Sequence, residues 1–271
     1  MRRLIYDDYS SRETSASTCS SIGLPKETAL TKVLSDLISS LDKGELGLLA
    51  LLDLSAAFDT VDHAILLTRL ESSFGLTDRA LPWIRSYLDN RSQTVLFNGK
   101  TSSRFNVPNG VPQGSTLGPV LFVLYAADIG SVTHRHDLLS HLYADDSQLY
   151  LCCRQDSIQA TTSRLNSCIR EIDEWMASNR LKLNQEKTDI LWCATKRRLR
   201  FLYHSPLLLS GAVINPSAGV KDLGVLIFNY LSMTSHVNLL VSQCFISFDA
   251  QRTAVVLYYV YFIMYILYRP R

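Results

Sequence analysis

A chain of 271 residues, of which 47% are hydrophobic, can bury one large core or two small ones. Its net charge of +2 excludes a strongly basic protein whose overall charge alone would attract a polyanion. Its six cysteines form neither a C-x₂-C pair nor a Cys/His cluster at zinc spacing, which excludes the usual structural zinc site.

The first predicted elements are a helix and a buried strand. Apolar residues recur at helical spacing through residues 27–41, which predicts an amphipathic helix. The nearly continuous apolar run at 46–52 predicts a central strand that is covered on both faces, and Asp53 ends it. Taken singly, such an acid more often merely ends a strand. A second helix is predicted next, with Asp59 or Thr60 as its N-cap.

The middle of the chain is rich in turn signals. Residues 82–88 predict a short helix, and Asn98-Gly99-Lys100 predicts the turn of a β-hairpin. Residues 110–119 hold three glycines and two prolines, which favours a stiff loop that approaches a planar or phosphate ligand closely. An ordinary structural turn explains this segment equally well. It is not a P-loop, because no Lys-Ser/Thr follows the glycines.

Two adjacent carboxylates occupy a predicted tight turn at Tyr143-Ala144-Asp145-Asp146, between two short apolar runs. Adjacent negative charges repel, so a fold that places both at the tip of a buried hairpin usually holds a cation there. Oxygen ligands suit Mg²⁺, and two Mg²⁺ about 4 Å apart are common in phosphoryl transfer. Taken alone, however, an Asp-Asp pair in a turn is more often solvated.

The remaining pattern completes the expected fold. Residues 157–177 place apolar side chains on one stripe of a helix. The basic residues between Lys196 and Arg200 form either a solvated loop or a phosphate contact. Together the elements predict an α+β fold with a small, largely antiparallel sheet and helices packed on one face.

Three segments in a fixed order carry a family resemblance. Asp-x-x-x-x-Phe, then Gly-Val-Pro-Gln-Gly-Ser, then Tyr-Ala-Asp-Asp closely resembles the reverse transcriptase of non-LTR (LINE-type, Jockey-like) retrotransposons. The segments similar to the motifs A to E of that family are 51–63, 110–122, 141–151, 175–192 and 220–225. The resemblance implies a polymerase palm, with partial fingers elements inserted between motifs A and B.

The resemblance also implies a chemistry. The chain would be an RNA-directed DNA polymerase that adds dNTPs to the 3′-hydroxyl of a DNA primer on an RNA template. Two Mg²⁺ would be held by Asp53, Asp145 and Asp146, with the backbone carbonyl of Leu54 as a further ligand. These residues would then support two-metal phosphoryl transfer.

Other site residues follow from the same motifs. Phe58 matches the steric gate that excludes a 2′-hydroxyl, although a core phenylalanine is the alternative. Gln113 and Gly114 match residues that line the incoming nucleotide and the templating base. Lys187 matches an acid for the leaving pyrophosphate, and an ordinary surface lysine is the alternative.

The expected organisation has three parts: an unmatched, disordered N-terminus at 1–24, the palm with partial fingers at 25–240, and an unmatched apolar tail at 241–271. Because the fingers and thumb segments of relatives have no match here, one alternative is a catalytically inactive retrotransposon remnant with at most weak nucleic-acid binding. A remnant tethered to a membrane by the tail is the least favoured alternative, because the apolar run at 254–268 is shorter than the roughly 20 residues of a spanning helix. We expect an intracellular protein, nuclear or cytoplasmic, and the sequence leaves its oligomeric state open.

Overall fold

The computed structural model describes residues 21–22, 26–143, 146–200, 202, 206–209 and 211–246. In chain order the helices are α1 Lys26–Asp42, α2 His63–Ser72, α3 Ala80–Leu88, α4 Leu117–Ala126, α5 Ile129–Arg135, α6 Ile158–Ser178, α7 Lys196–Leu199 and α8 Thr234–Ile246. The strands are β1 Ser21–Ile22, β2 Leu46–Leu52, β3 Ser92–Gln93, β4 Leu96–Phe97, β5 Lys100–Thr101, β6 Phe105–Asn106, β7 Leu139–Tyr143, β8 Asp146–Cys153, β9 Asp189–Cys193, β10 Leu207–Leu209, β11 Ala212–Ile214, β12 Gly219–Asp222 and β13 Val225–Phe228.

The central sheet has five strands in the order β1-β7-β8-β2-β9. Strand β1 runs parallel to β7, and β2 runs antiparallel to β9 with Gly47 opposite Cys193 and Leu51 opposite Asp189. All residues of β2 except Leu51 are buried, as expected of an inner strand that is covered on both faces. The remaining strands form antiparallel pairs, so the fold is a mixture of helices and small, largely antiparallel sheets.

Elements with a strong local pattern follow the sequence closely. The helices predicted over 27–41 and 157–177 are α1 and α6, each within one residue of the expected bounds. The predicted hairpin turn joins β4 to β5, and both Asn98 and Gly99 take left-handed backbone angles, with φ of 48° and 75°. These angles are those of the turn type that Asn-Gly favours in a two-residue hairpin loop.

The N-cap of α2 differs from the expectation. Asp62, rather than Asp59 or Thr60, caps the helix, and its Oδ1 accepts hydrogen bonds from the N–H groups of Ala64 at 2.9 Å and Ile65 at 3.1 Å. The N–H groups of Asp59 and Thr60 instead bond the carbonyl of Ala56, in a turn that ends before the helix begins. All three residues suit the cap position, so local preference could not choose among them.

The chain divides into two compact units. The first comprises the described residues within 1–24, 53–149 and 164–184, and the second comprises those within 25–52, 150–163 and 185–271.

Arg69 ties three helices of the first unit together. Its guanidinium lies 5.4 Å from the ring centre of Tyr125 and 5.2 Å from that of Trp175. Its Nη2 donates to Asn179 Oδ1 at 2.9 Å and lies 3.0 Å from a carboxylate oxygen of Asp128. A largely buried cation is tolerated only with partners of this kind, so Arg69 joins α2, α4 and the end of α6.

His236 is a buried group in the second unit, where α8 meets β13. Its Nδ1 accepts a hydrogen bond from the N–H of Leu226 at 3.3 Å, which requires that nitrogen to be unprotonated. Burial lowers the pKa of His236 from its ordinary value of 6.5. As the pH falls through 6.5, the unfolded chain therefore takes up a proton that the folded chain refuses, and the folded state loses stability.

We expect the free energy of unfolding to decrease between pH 7.5 and pH 5.5 through this histidine. Urea denaturation of the full chain at both pH values measures the effect. His236→Gln, which keeps an acceptor but cannot gain a proton in this range, should show a smaller decrease. An equal decrease in the variant and in the parent would contradict the assignment.

Within the described residues, the segment Leu117–Arg135 is long and apolar enough to cross a membrane by length and composition. Half of that segment is buried inside the protein, which is typical of core helices, and it is divided into α4 and α5. The apolar run at 254–268 lies outside the described residues.

Candidate functional site

Asp53 lies directly after β2, where a short backbone bridge fixes the chain. The bridge pairs Leu54 with Leu183. The N–H of Asn184 donates to the carbonyl of Asp53, and the N–H of Ser55 donates to that of Lys182, both at 2.9 Å. Successive carbonyls of an extended chain point to opposite edges, so the carbonyl of Leu54 points away from this bridge.

The direction of β8 follows from the surroundings of Cys152, near its end. Burial raises the pKa of the Cys152 thiol, which bonds Ser40 and lies near enough to the Glu45 carboxylate for that charge to raise the pKa further. Burial also raises the pKa of Cys193, and Cys152 adds to that shift. Cys193 pairs with Gly47, so the end of β8 lies beside the beginning of β2.

Because the end of β8 lies beside the beginning of β2, these neighbouring strands are antiparallel. The beginning of β8, with Asp146, therefore lies at the same end of the sheet as Asp53, which follows β2. Asp146 lies six residues before Cys152, and Asp53 lies six residues after Gly47. Each is partly exposed. Asp145, the third predicted carboxylate, lies outside the described residues. Among the residues that are described, no group of three or more His, Cys, Asp or Glu side chains is close enough to hold a metal ion.

The loop that begins at Gly110 is docked on the turn after Asp53. The N–H of Gly110 donates to the carbonyl of Val61 at 2.8 Å, and the N–H of Val111 donates to that of Phe58 at 2.7 Å. Gly110 has a φ of 82°, and a Cβ there would lie 2.8 Å from the carbonyl oxygens of Phe58 and Asp59. The contact is therefore open only to glycine.

Two side chains that the sequence reasoning missed hold the same loop. His63 Nε2 donates to the carbonyl of Gly110 at 2.8 Å, and the guanidinium of Arg91 donates to the same oxygen. They stand 47 and 19 residues from Gly110 along the chain. Because neither forms a local pattern with the loop, no sequence signal indicated them.

The predicted nucleotide-contacting residues lie on these two joined segments. Phe58 is partly exposed, and its ring centre lies 5.2 Å from that of Phe122 in the core. Gln113 is exposed and its Nε2 lies 3.3 Å from both carboxylate oxygens of Asp59. Gly114 has a φ of 77° and open space around its Cβ position. The structure thus brings Phe58 and the Gln113-Gly114 turn into one neighbourhood.

Lys187 does not belong to the compact unit that contains Phe58, Gln113 and Gly114. It ends the short 3₁₀ turn Gln185–Lys187, is exposed, and belongs to the second compact unit. The segment similar to motif E forms the β12–β13 hairpin, whose turn places Leu223 and Gly224 at φ of 46° and 94°.

Comparison with protein families gives one match that covers most of the chain. Residues 17–231 match the model of the family described as "Reverse transcriptase (RNA-dependent DNA polymerase)".

Similar curated proteins come from mobile genetic elements. The chain is 28% identical over 221 residues to the RNA-directed DNA polymerase from mobile element jockey of Drosophila melanogaster, covering 79% of this chain and 23% of that protein. It is 27% identical over 194 residues to the Pol polyprotein of the type-1 retrotransposable element R2 of Popillia japonica, covering 68% and 30%. The chain thus spans less than a third of the length of these relatives.

Similar solved structures are telomerases. The apo telomerase of Candida tropicalis truncated from its C-terminal domain matches with a TM-score of 0.54 at 14% identity, over 86% of this chain and 44% of that one. The same organism's telomerase in complex with a fragment of telomeric RNA also gives 0.54, at 11% identity, over 85% and 35%. At these identities the likeness establishes the fold alone, and it confirms the predicted palm.

Proposed function

Because this chain belongs to the reverse transcriptase family, we propose that it forms the palm of an RNA-directed DNA polymerase, which extends a DNA primer with dNTPs on an RNA template. The resemblance to Jockey-like elements that the motifs indicated is confirmed by the mobile-element relatives. The observation that supports the activity is that Asp53 and Asp146 lie at one end of neighbouring strands, and that Asp53 is followed by the turn on which the loop beginning at Gly110 is docked.

The donor atoms in this region suit a hard cation. Asp53 and Asp146 supply carboxylate oxygens, and the carbonyl of Leu54 points away from the bridge with Leu183, toward the side where β8 begins. We assign these groups, together with Asp145, to two Mg²⁺. Two Mg²⁺ held there would supply Lewis-acid chemistry: a lower pKa for the primer 3′-hydroxyl and neutralised charge on the triphosphate and the leaving pyrophosphate.

The chain's own side chains then orient the nucleotide. Phe58 has its inner side fixed against Phe122, so its exposed part can oppose the sugar and exclude a 2′-hydroxyl. Gln113 offers an amide, and Gly114 leaves room above the backbone, for the base pair that forms. Lys187 is assigned as the acid that donates a proton to pyrophosphate.

Primer extension by the full chain tests this proposal. We expect slow extension of a DNA primer on an RNA template with Mg²⁺ and dNTPs, and none with EDTA. Extension that is equal with and without the metal, or no extension with it, would overturn the proposal.

Phe58→Ala should raise the use of rNTPs relative to dNTPs by about 10- to 100-fold, because the ring that opposes the 2′-hydroxyl is gone. Competition between a dNTP and its matching rNTP in the same reaction gives this ratio. Phe58→Tyr keeps the ring and is the matched control, which should retain the selectivity of the parent. An unchanged ratio in Phe58→Ala would assign Phe58 to the core instead.

A further inference from the structure

The arm between Ser92 and Asn106 carries several large apolar side chains that the core does not bury. Every residue from Gln93 to Asn106 is exposed. The largest exposed side chains are Val95, Leu96, Phe97 and Phe105, with exposed fractions of 63%, 72%, 74% and 57%. Contiguous exposed apolar side chains of this kind usually mark a binding surface.

A β-bulge decides which of these side chains share a face. In the outer part of the arm Phe97 pairs with Lys100, and in the inner part Gln93 pairs with Phe105. Between these two pairs the first strand runs four residues, from Gln93 to Phe97, and the second runs five, from Lys100 to Phe105. The second strand therefore carries one extra residue, which defines a bulge. Paired residues lie on one face, as do alternate residues of a strand. Gln93, Val95, Phe97, Lys100 and Phe105 therefore form one surface, here called the aromatic face.

The opposite face has a different character. Leu96 pairs with Thr101 and so points away from the aromatic face. Arg104 is on this second side too, because its guanidinium donates to the hydroxyl of Ser92, whose partner across the arm is Asn106. The rings of Phe97 and Phe105 thus lie about 13 Å apart, at 3.3 Å per residue, on the same face as Lys100. Leu96 is a similarly exposed apolar residue on the opposite face.

Along the chain, the charges of the arm and its flanking residues have a single sign. No acidic residue occurs between Asp89 and Asp128, a stretch that includes Arg91, Lys100 and Arg104. Exposed rings combined with cations and no carboxylates are the components of single-strand binding, in which bases stack on rings and phosphates meet the cations. Cations without carboxylates suit a polyanion better than a protein surface, which carries charges of both signs.

The arm is attached to the proposed nucleotide site. At its base the N–H of Val107 donates to the carbonyl of Arg91 at 2.8 Å, and the Arg91 guanidinium bonds the carbonyl of Gly110. A strand that binds the arm would therefore lie on a segment that is joined directly to the loop containing Gln113 and Gly114.

We propose that the aromatic face binds the single-stranded RNA template before it is copied, with bases stacked on Phe97 and Phe105 and a phosphate on Lys100. The identity of the strand as template rests on the proposed function. The binding itself requires neither the carboxylates nor a metal ion.

Fluorescence anisotropy with a labelled 12-nucleotide RNA of unpaired sequence, in EDTA, measures binding by the full chain. Phe97→Ala and Phe105→Ala should each weaken it about 5- to 150-fold, the usual effect of removing one stacking ring. Leu96→Ala is the matched control, and its affinity should stay within about twofold of the parent. Equal weakening by Leu96→Ala and Phe97→Ala would overturn the proposal.

Two further variants separate stacking from general apolar contact. Phe97→Trp should restore binding and Phe97→Leu should not, because only the former has a flat π face. Lys100→Gln should reduce the slope of log affinity against log salt concentration by about 0.7, the share of one phosphate on a single strand. Normal binding by Phe97→Leu would contradict stacking.

The remaining outcomes are also decisive. Equal or tighter binding of a duplex RNA, or a Phe97-dependent change in oligomeric state during gel filtration without RNA, would replace template binding with duplex or protein contact. If the parent chain extends primers and the arm variants bind RNA normally, only this inference is overturned. Ring-dependent RNA binding by a chain that shows no extension would overturn the polymerase proposal alone.

Discussion

Replacing Asp53 with Asn should reduce Mg²⁺-dependent primer extension by at least about 100-fold and should weaken binding of Mn²⁺, used as a probe of the same site. Changes in residues that merely support metal ligands cost 10- to 100-fold, so the loss of a ligand carboxylate should cost at least as much. The amide keeps the size of the side chain and removes its charge. Electron paramagnetic resonance of free Mn²⁺ measures binding independently of catalysis.

The control for this experiment is Asp156→Asn, which removes an exposed carboxylate from the 3₁₀ turn after β8. It should leave both readings unchanged, and Asp146→Asn should behave like Asp53→Asn. If Asp53→Asn bound Mn²⁺ and extended primers as the parent does, the assignment of Asp53 as a ligand would be wrong.

Gly110→Ala should destabilise the protein by about 2–5 kcal/mol. A left-handed backbone costs a residue with a Cβ about 1–2 kcal/mol, and overpacking typically adds 1–3 kcal/mol. The added Cβ would lie 2.8 Å from two backbone carbonyl oxygens. Because both atoms belong to the backbone, no side-chain rotation can relieve the clash. Thermal unfolding should show a melting temperature lower by about 5–15 °C.

Gly75→Ala is the matched control for this change. Gly75 has a φ of 64°, yet nothing lies within 4 Å of its Cβ position, so its substitution carries only the backbone cost. It should lower the melting temperature by roughly a third of the effect at Gly110. Equal effects at the two positions would mean that the contact with the carbonyls of Phe58 and Asp59 is unimportant.

The parts of the fold that could be predicted are those that a short stretch of sequence encodes. Helical spacing gave α1 and α6 nearly to the residue, and Asn98-Gly99 gave the hairpin turn. The cap of α2 could not be chosen, because three suitable residues lie within four positions and the turn at Ala56 decides among them.

In the candidate site, too, a short stretch of sequence predicted some features, whereas others depend on contacts between distant segments. The residues that carry the motifs were identified from type and order alone, and their roles stay predictions. The hydrogen bonds of His63 and Arg91 to Gly110 depend on how distant segments meet, which no local pattern reports. The bulge in the arm is likewise invisible in the sequence, since an extra residue in a strand looks like any other.

Two backbone hydrogen bonds join the loop that begins at Gly110 to the turn that contains Phe58, although the two segments lie about 50 residues apart in the sequence. The two segments should therefore move together. A shift of the Phe58 ring, which we propose faces the sugar, should therefore be passed on to the Gln113 amide, which we propose faces the base. Efforts to broaden the range of accepted nucleotides by directed evolution should yield paired substitutions, one in each stretch, more often than single ones.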